Sequence, residues 1–332
     1  MNTDERILVT GAAGFIGSNL LARLEADGFT NIVACDYLGS DNIKWRNVAK
    51  RSQVEFTSPD SLLSDLRQRR FDAIIHLGAI SSTTATDADE ILAVNYRLPI
   101  DLHEYCRIHG KRFIYASSAA TYGNGEAGFD DRCDMEYLSS LCPLNLYGWS
   151  KNLFDKYLSR RGAFTSKAEA SVAGLKFFNV YGPNEYHKGT QKSVIPSFYW
   201  QATNTDKIDL FRSNTPSVPD GEQKRDFVNV TDCVDVIVWM LHHTEARGLF
   251  NVGTGQPVSF ARVAAITAQA AGSDAAINFI DMPESIRLQY QNYTCADITR
   301  LRSVGYDRQF TDAQEGITEY ITHYLSQPDK FK

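Results

Sequence analysis

Tyr147 and Lys151, four residues apart in Y-G-W-S-K, fall on one face of a helix and could move a proton together. Tyrosine has a pKa of about 10 in water and is a poor base near neutrality. An ammonium beside it, joined by a second cation, would stabilise the phenolate and lower that value. Ser118, in S-S-A-A-T-Y-G, could hold a substrate hydroxyl by hydrogen bonding. By itself a Y-x-x-x-K pair is an ordinary surface helix pair. A third feature, I-L-V-T-G-A-A-G-F-I-G from Ile7 to Gly17, gives it chemical meaning. An apolar strand turns there into a helix, and the free N–H groups at the helix start converge on one point, a seat for a diphosphate. Gly11 permits the turn, Gly14 lets backbone approach the phosphates, and Gly17 allows close helix–strand packing. Phe15 and Ile16 complete the loop. The spacing is G-x-x-G-x-x-G, not the standard G-x-G-x-x-G. A dinucleotide held here would bring a cationic nicotinamide. The groups together can then deprotonate an alcohol while its carbon gives up hydride.

These residues need strands and helices in alternation to hold them. The strand Asn31–Cys35 ends at Asp36, about twenty residues past the glycine loop, where a ribose-binding carboxylate is expected. Such an acid favours NAD, whereas Lys44, Arg46, Lys50 and Arg51 just beyond it could pair with a 2′-phosphate and favour NADP modestly. Val54–Phe56 reads as a short strand, and Ser58-Pro59-Asp60 as the start of a helix to about Arg70. Ala73–Leu77 is a continuous apolar run, a buried parallel strand ending at Gly78 and Ala79. Asp89–His109 has helical periodicity and contains Asn95, and Phe113–Ala116 leads as a strand into Ser117 and Ser118. This alternation predicts an α/β fold, a Rossmann-type doubly wound parallel sheet. The tips at Gly11, Asp36, Gly78 and Ser117 should line one rim.

Val172–Phe178 is another strand, after which the alternation loosens. Strands at Lys207–Phe211, Gly248–Val252 and Ala276–Ile280, with helices at Val194–Ala202, Val234–His243, Phe260–Ala271 and Thr311–Leu325, predict a smaller C-terminal α/β lobe. Ser213–Gln223 is expected to be an irregular, mobile loop, and the polar tail from Gln327 to be disordered. The 332 residues, 43% hydrophobic and 22% charged, suit a soluble globular protein. A net charge of −6 argues against nucleic acid as a partner. No apolar run is of membrane-spanning length and no signal peptide is apparent, so a cytoplasmic location is expected. The six cysteines include no C-x-x-C pair, which predicts reduced, mostly packed thiols and no metal site.

T-G-A-A-G-F-I-G, the acid at Asp36, Asn95, S-S-A-A-T-Y-G and Y-G-W-S-K recur in an order that resembles the extended short-chain dehydrogenase/reductase family. The resemblance implies a Rossmann domain over residues 1–180 with later segments returning to it, a nucleotide-sugar lobe over 181–326, and a tail at 327–332. It implies that Ser118, Tyr147 and Lys151 form the redox triad, with Lys151 also gripping the nicotinamide ribose. Within the family, F-F-N-V-Y-G-P-N-E-Y-H-K-G from Phe177 to Gly189 is similar to the ADP-glyceromanno-heptose 6-epimerase group. So are Ser81-Ser82-Thr83-Thr84, the Lys224–Val228 run, and Tyr290 with Gln291.

That likeness implies an isomerase of lipopolysaccharide inner-core synthesis. It would invert C6 of ADP-D-glycero-D-manno-heptose through a transient ketone, using bound NADP, with NAD as the alternative, and would assemble as a homo-oligomer. After hydride leaves C6, the ketone must turn over to receive it on the other face, and a second acid/base must serve that orientation. Tyr147 and Lys188 fit the two roles, and burial with nearby cations can lower a lysine's pKa enough. The cofactor would meet Gly11, Gly14, Phe15, Ile16, Gly17, Asp36, Tyr37, Lys44, Leu77, Gly78, Ala79, Asn95, Lys151 and Val180, with Lys44 at the 2′-phosphate. The substrate would meet Ser118, Asn179, Thr190, Ser197, Phe211, Arg225 and Tyr290, Arg225 being suited to a diphosphate. Three features depart from the family pattern: Ser197 replaces a histidine, Leu77 a glutamate, and the 213–223 loop is longer. Rival readings are a 4-epimerase, a 4,6-dehydratase or a non-catalytic dinucleotide-binding module. A dehydratase should carry an Asp-Glu pair where Ala119 and Ala120 stand, and binding modules tend to lose the tyrosine or lysine.

Overall fold

The computed structural model describes residues 1–40, 43–166, 170–287 and 290–332. Along the chain come β1 (Ile7–Thr10), α1 (Phe15–Ala26), β2 (Ile32–Cys35), β3 (Val54–Thr57), α2 (Leu62–Gln68), β4 (Ala73–His76), α3 (Ala88–Leu92) and α4 (Leu98–His109). Next are β5 (Arg112–Ser118), α5 (Met135–Ser140), α6 (Leu146–Arg160), β6 (Val172–Phe177), β7 (Asn179–Tyr181), α7 (Val194–Asn204), β8 (Lys207–Phe211), β9 (Lys224–Arg225) and β10 (Phe227–Asn229). The last are α8 (Val230–His242), β11 (Gly248–Val252), β12 (Val258–Ser259), α9 (Phe260–Ala270), β13 (Ala276–Ile280), α10 (Glu284–Arg287), α11 (Thr299–Ser303) and α12 (Ala313–Tyr320).

Seven strands form one parallel sheet in the order β11-β6-β5-β4-β1-β2-β3. Strand alternation sorts adjacent residues onto two faces. Ile7, Val9 and Ile75 join α1 and α8 in one core, while Leu8 and Ile74 join α2, α4 and α6 in the other. Strands buried on both faces must be apolar throughout, which is why β1 and β4 read as continuous runs. From β1 the chain winds outward through β2 and β3, then returns to the other side of β1 as β4. The crevice between the carboxyl ends of β1 and β4 is therefore the switch point where such sheets take ligands. The parallel pairs β8–β13 and β7–β10 lie outside this sheet, and Ile195, Ile208, Val263 and Ile317 centre a third core.

Four local expectations need correction. The helix expected from Ser58 starts at Leu62, because Ser61 and Leu62 donate back to the carbonyls of Ser58 and Pro59 as a turn. The helix expected over 89–109 is broken by a π-turn, Ala93–Arg97, between α3 and α4. Pro99 has no N–H to offer the Asn95 carbonyl, and the wider turn absorbs that loss. Loop 213–223 is pinned by Asp220, which accepts from Ser213 N at 2.7 Å and from Arg212 at 3.0 Å. The tail is docked. Lys50 donates to the Phe331 carbonyl at 2.6 Å and pairs with Asp329 at 2.8 Å. Lys332 N donates to Asn184 Oδ1 at 3.0 Å, and Phe331 packs edge-on against Tyr186. One buried aromatic outweighs a polar composition here. The cysteines are unpaired; Cys35, Cys106 and Cys233 are buried and Cys142 is exposed.

Asp131 gives a stability prediction. It is buried, accepting from Asn251 N at 2.8 Å, and burial pushes its carboxyl up to about 6. A folded-state pKa above the unfolded value means that ionisation opposes folding, with the penalty growing as pH rises from about 4 through about 6. Asp131→Asn is expected to raise stability by up to about 3 kcal/mol at about pH 8, and to give no gain below about pH 4. Urea midpoints at the two pH values check it.

Candidate active site

A cavity of about 880 Å³ opens at the switch point. Its wall holds Gly11, Gly14, Phe15, Ile16, Gly17, Asp36, Lys44, Leu77, Gly78 and Ala79 from the β1 to β4 tips. Ser118, Tyr147, Lys151, Val180, Lys188 and Thr190 complete it from the other side of the sheet. Gly11 turns with φ +66°, and a Cβ there would come within about 2.5 Å of the Gly78 backbone, so only glycine lets the two tips meet. Gly14 opens α1 without a side-chain cap, and no acid stands in the first turn. The helix N-terminus thus keeps its donors available for an anion. A dinucleotide fits these residues: an uncapped phosphate seat, an acid at the ribose position and a cavity of sufficient size.

Asp36 is doubly engaged. Oδ2 accepts from Ala13 N at 2.9 Å, tying the acid to the glycine loop, and Oδ1 pairs with Lys44 Nζ at 2.7 Å. Lys44 also donates to the Tyr37 carbonyl at 2.6 Å.

Asn145 caps α6 by accepting from Gly148 N at 2.9 Å, which puts Tyr147 in the first turn and Lys151 one turn on. The Tyr147 phenol is half-buried at the cavity wall. Burial raises its pKa, the Ser118 hydroxyl works the other way, and Asp155 adds to the rise. Burial pulls the Lys151 ammonium down to about 8, against the charge of Asp155. The expectation that the neighbouring ammonium depresses the tyrosine is therefore not met by the chain alone: both groups are desolvated, and burial dominates. Lys188 lies in the 3-10 turn Tyr186–Gln191, its Nζ 5.6 Å from the centre of the Phe15 ring. Burial lowers its pKa and Glu185 opposes the shift. Glu185 instead holds Ser193 and Gly182, and no carboxylate among the described residues lies within ion-pair distance of Lys188.

Several expected contacts lie elsewhere. Asn95 does not line the cavity; it accepts from Ile80 N and donates to the Ile80 carbonyl, both at 2.9 Å, and donates to Ser150 Oγ at 3.0 Å. It braces the β4 loop against α6. The Tyr37 hydroxyl turns outward to Asp60 at 2.5 Å. Asn179 is exposed beside Thr294, and Ser197 accepts from Gln201 on its own helix. Phe211, Arg225 and Tyr290 form a separate cluster, with the buried Arg225 guanidinium 5.1 Å from the centre of the Tyr290 ring and 5.6 Å from that of Phe260. Arg225 donates to the Lys224 carbonyl and has no carboxylate within ion-pair distance among the described residues. Asp226 is occupied by Thr254, Gly255 and Ala296. A buried cation without an anion is primed for a phosphate. Arg225→Leu is expected to raise KM for a nucleotide-sugar about 10- to 100-fold, while Tm holds or rises. Steady-state kinetics and thermal melts check it.

Ser117 lines the cavity at the rim where the sequence places it, and Ser81, Ser82, Thr83, Thr84, His187 and Gln191, to which the sequence assigns no site role, line it too. The Gln191 amide donates to the Ser81 carbonyl at 3.2 Å and accepts from Ser82 Oγ at 3.0 Å and Thr83 N at 3.2 Å, joining the Lys188 turn to the β4 loop. The run of four hydroxyl residues after a strand was the available signal; Gln191 offered none. No described helix is long and apolar enough to cross a membrane.

The NAD dependent epimerase/dehydratase family matches residues 7–253. An ADP-L-glycero-D-manno-heptose-6-epimerase of Nitratidesulfovibrio vulgaris (strain DP4) is 42% identical over 328 residues, 98% of this chain and 99% of that protein. One from Fusobacterium nucleatum is 39% identical over 336 residues, again 98% and 99%. Among solved structures, the Helicobacter pylori ADP-L-glycero-D-manno-heptose-6-epimerase matches with a TM-score of 0.79 at 27% identity, over 97% of this chain and 99% of that one. The UDP-glucose 4-epimerase of Thermus thermophilus, solved in complex with NAD, matches with a TM-score of 0.74 at 25% identity, over 97% and 99%. With the sheet, the uncapped glycine turn and the Ser118–Tyr147–Lys151 group in one cavity, the chain belongs to the NAD dependent epimerase/dehydratase family, an extended short-chain dehydrogenase/reductase of the isomerase class.

Proposed function

We propose that this enzyme converts ADP-D-glycero-D-manno-heptose to the L-glycero form by inverting C6 through a transient 6-keto sugar, with NADP as resident cofactor. The observation that carries the reading is that one cavity holds two desolvated proton-transfer groups from different elements, Tyr147 and Lys188. A 4-epimerase, in which one tyrosine serves both faces of the ketone, has no need of the second. The relatives described above are named for this heptose and match over nearly the whole length of the chain.

When bound, the dinucleotide supplies hydride uptake and return, and its oxidised ring supplies the positive charge that Tyr147 lacks in the chain alone. Ser118 orients the substrate oxygen, and Tyr147 exchanges a proton with it in one orientation. Lys188, its charge disfavoured by burial, exchanges a proton in the other. Lys151 holds the ribose and keeps positive charge near the phenol. Arg225, with Tyr290 and Phe211 around it, holds the nucleotide end of the substrate. The reading favours NADP because Lys44 pairs with Asp36 Oδ1 while Oδ2 accepts from Ala13 N, which offsets the repulsion a 2′-phosphate would meet. The enzyme acts as a cytoplasmic homo-oligomer in this reading.

The test is incubation with ADP-D-glycero-D-manno-heptose and no added cofactor, followed by NMR at C6. Inversion is expected, and the denatured protein should release NADP. No change at C6 together with C4 epimerisation of a UDP-hexose would reject the proposal.

A further inference from the structure

The elements that carry the catalytic groups meet at a buried ion pair that the chemistry above does not use. Lys176 on β6 is fully buried, its ammonium 3.1 Å from Oδ2 of Asp155, also fully buried on α6. The ammonium donates to Thr121 Oγ1 at 2.7 Å and lies 4.6 Å from the centre of the Tyr122 ring. The carboxylate accepts from Tyr115 OH at 2.7 Å and from Ser117 Oγ at 2.8 Å, both on β5. Such a pair adds little stability over apolar residues of the same volume, so stability alone does not account for it.

Its position is more telling. Asp155 follows Lys151 by one turn and Tyr147 by two on α6. Ser117 precedes Ser118 and is the register partner of Lys176 across β5–β6. Thr121 lies in the short turn that Ser118 caps by accepting from Ala120 N at 3.1 Å. Ser118, Tyr147 and Lys151 are thus all tied, within two helical turns or a few residues, to one pair of charges.

We propose that Asp155 and Lys176 are the positioning unit of this active site, clamping α6 against β5 and β6 so that Ser118, Tyr147 and Lys151 keep one geometry. The inference rests on the proton-transfer roles given to Tyr147 and Lys151. Asp155 also sets their field, since it holds Lys151 toward its charged form and Tyr147 toward its neutral one. The other titratable groups around these residues are His76 on β4, Tyr115 on β5, Lys176 on β6, and Cys133 and Tyr122 from the loops beside them; buried His76 is neutral.

The double variant Asp155→Asn/Lys176→Met removes both charges at similar volume and leaves the Tyr115 and Ser117 hydroxyls an amide to bond. It is expected to keep Tm within a few degrees and to lower kcat about 10- to 100-fold with KM little changed. The Tyr147 phenolate should appear at lower pH, read as near-ultraviolet absorbance against the same protein carrying Tyr147→Phe. That titration needs no sugar, so it separates failure of this proposal from failure of the heptose assignment. Wild-type kcat with an unshifted phenolate titration in the double variant would overturn the proposal. Should the double variant not fold, Tyr115→Phe decides, since it removes only one hydroxyl from Asp155. A several-fold loss of kcat at constant KM supports positioning, and wild-type kcat rejects it.

Discussion

Tyr147→Phe is expected to lower kcat for C6 inversion about 10²- to 10⁴-fold while dinucleotide binding and Tm hold. The substitution removes one oxygen and keeps the ring that fills the wall of the cavity. Nothing else in the wall replaces it: Ser118 is a weaker acid than any phenol, and Lys151 lies beyond it on the helix. Lys188→Met is expected to lower kcat to a similar degree, because the proposed inversion needs proton transfer in both orientations of the ketone. Each single variant blocks one of two consecutive steps. The double variant should therefore fall little below the worse single one. Product NMR at C6 measures this. Lys188→Met with wild-type kcat and raised KM would instead make Lys188 a phosphate-pairing cation, and the two-group scheme would fail.

Gly17→Ala is expected to empty the cofactor seat. A Cβ on Gly17 would overlap the Gly11 carbonyl and come within about 2.9 Å of Ala12 Cα. Both are backbone atoms, so no side chain can swing aside. Either α1 moves away from β1 or the Gly11 turn opens, and both displace the helix N-terminus from the point where the phosphates must lie. The wild-type protein should carry cofactor through purification, because each cycle regenerates it. The variant should release little or none on denaturation, lose about 10²-fold or more in kcat, and melt lower. Retention of a full equivalent of nicotinamide dinucleotide would show that the seat tolerates the shift.

The glycine turn, the strand tips and the Tyr147–Lys151 pair were legible because each is a local statement. A turn at Gly11, a run of apolar residues and an i, i+4 spacing are fixed by neighbours along the chain, and the parallel sheet follows from their alternation. The break in the 89–109 helix was also written locally, at Pro99, but periodicity masked it. The docked tail was not legible, since Phe331 reads as one aromatic in a polar run until Tyr186 is brought beside it.

Sequence by itself determined the strands of the parallel sheet and most of the helices beside them, and that a dinucleotide turn precedes a tyrosine–lysine helix. Only the tertiary structure decided which residues face one cavity and what their protonation is. Asn95 and Asp36 illustrate the difference. Both sit where a cofactor contact is expected, yet the fold turns the Asn95 amide to Ile80 and Ser150 and half of the Asp36 carboxylate to Ala13. The pKa values of Tyr147, Lys151 and Lys188 are set by desolvation, which depends on everything packed around a group and on nothing in its immediate sequence. The same reason hid Asp155 and Lys176. An acid and a base 21 positions apart mean nothing in the chain until a strand and a helix bury them 3.1 Å from each other.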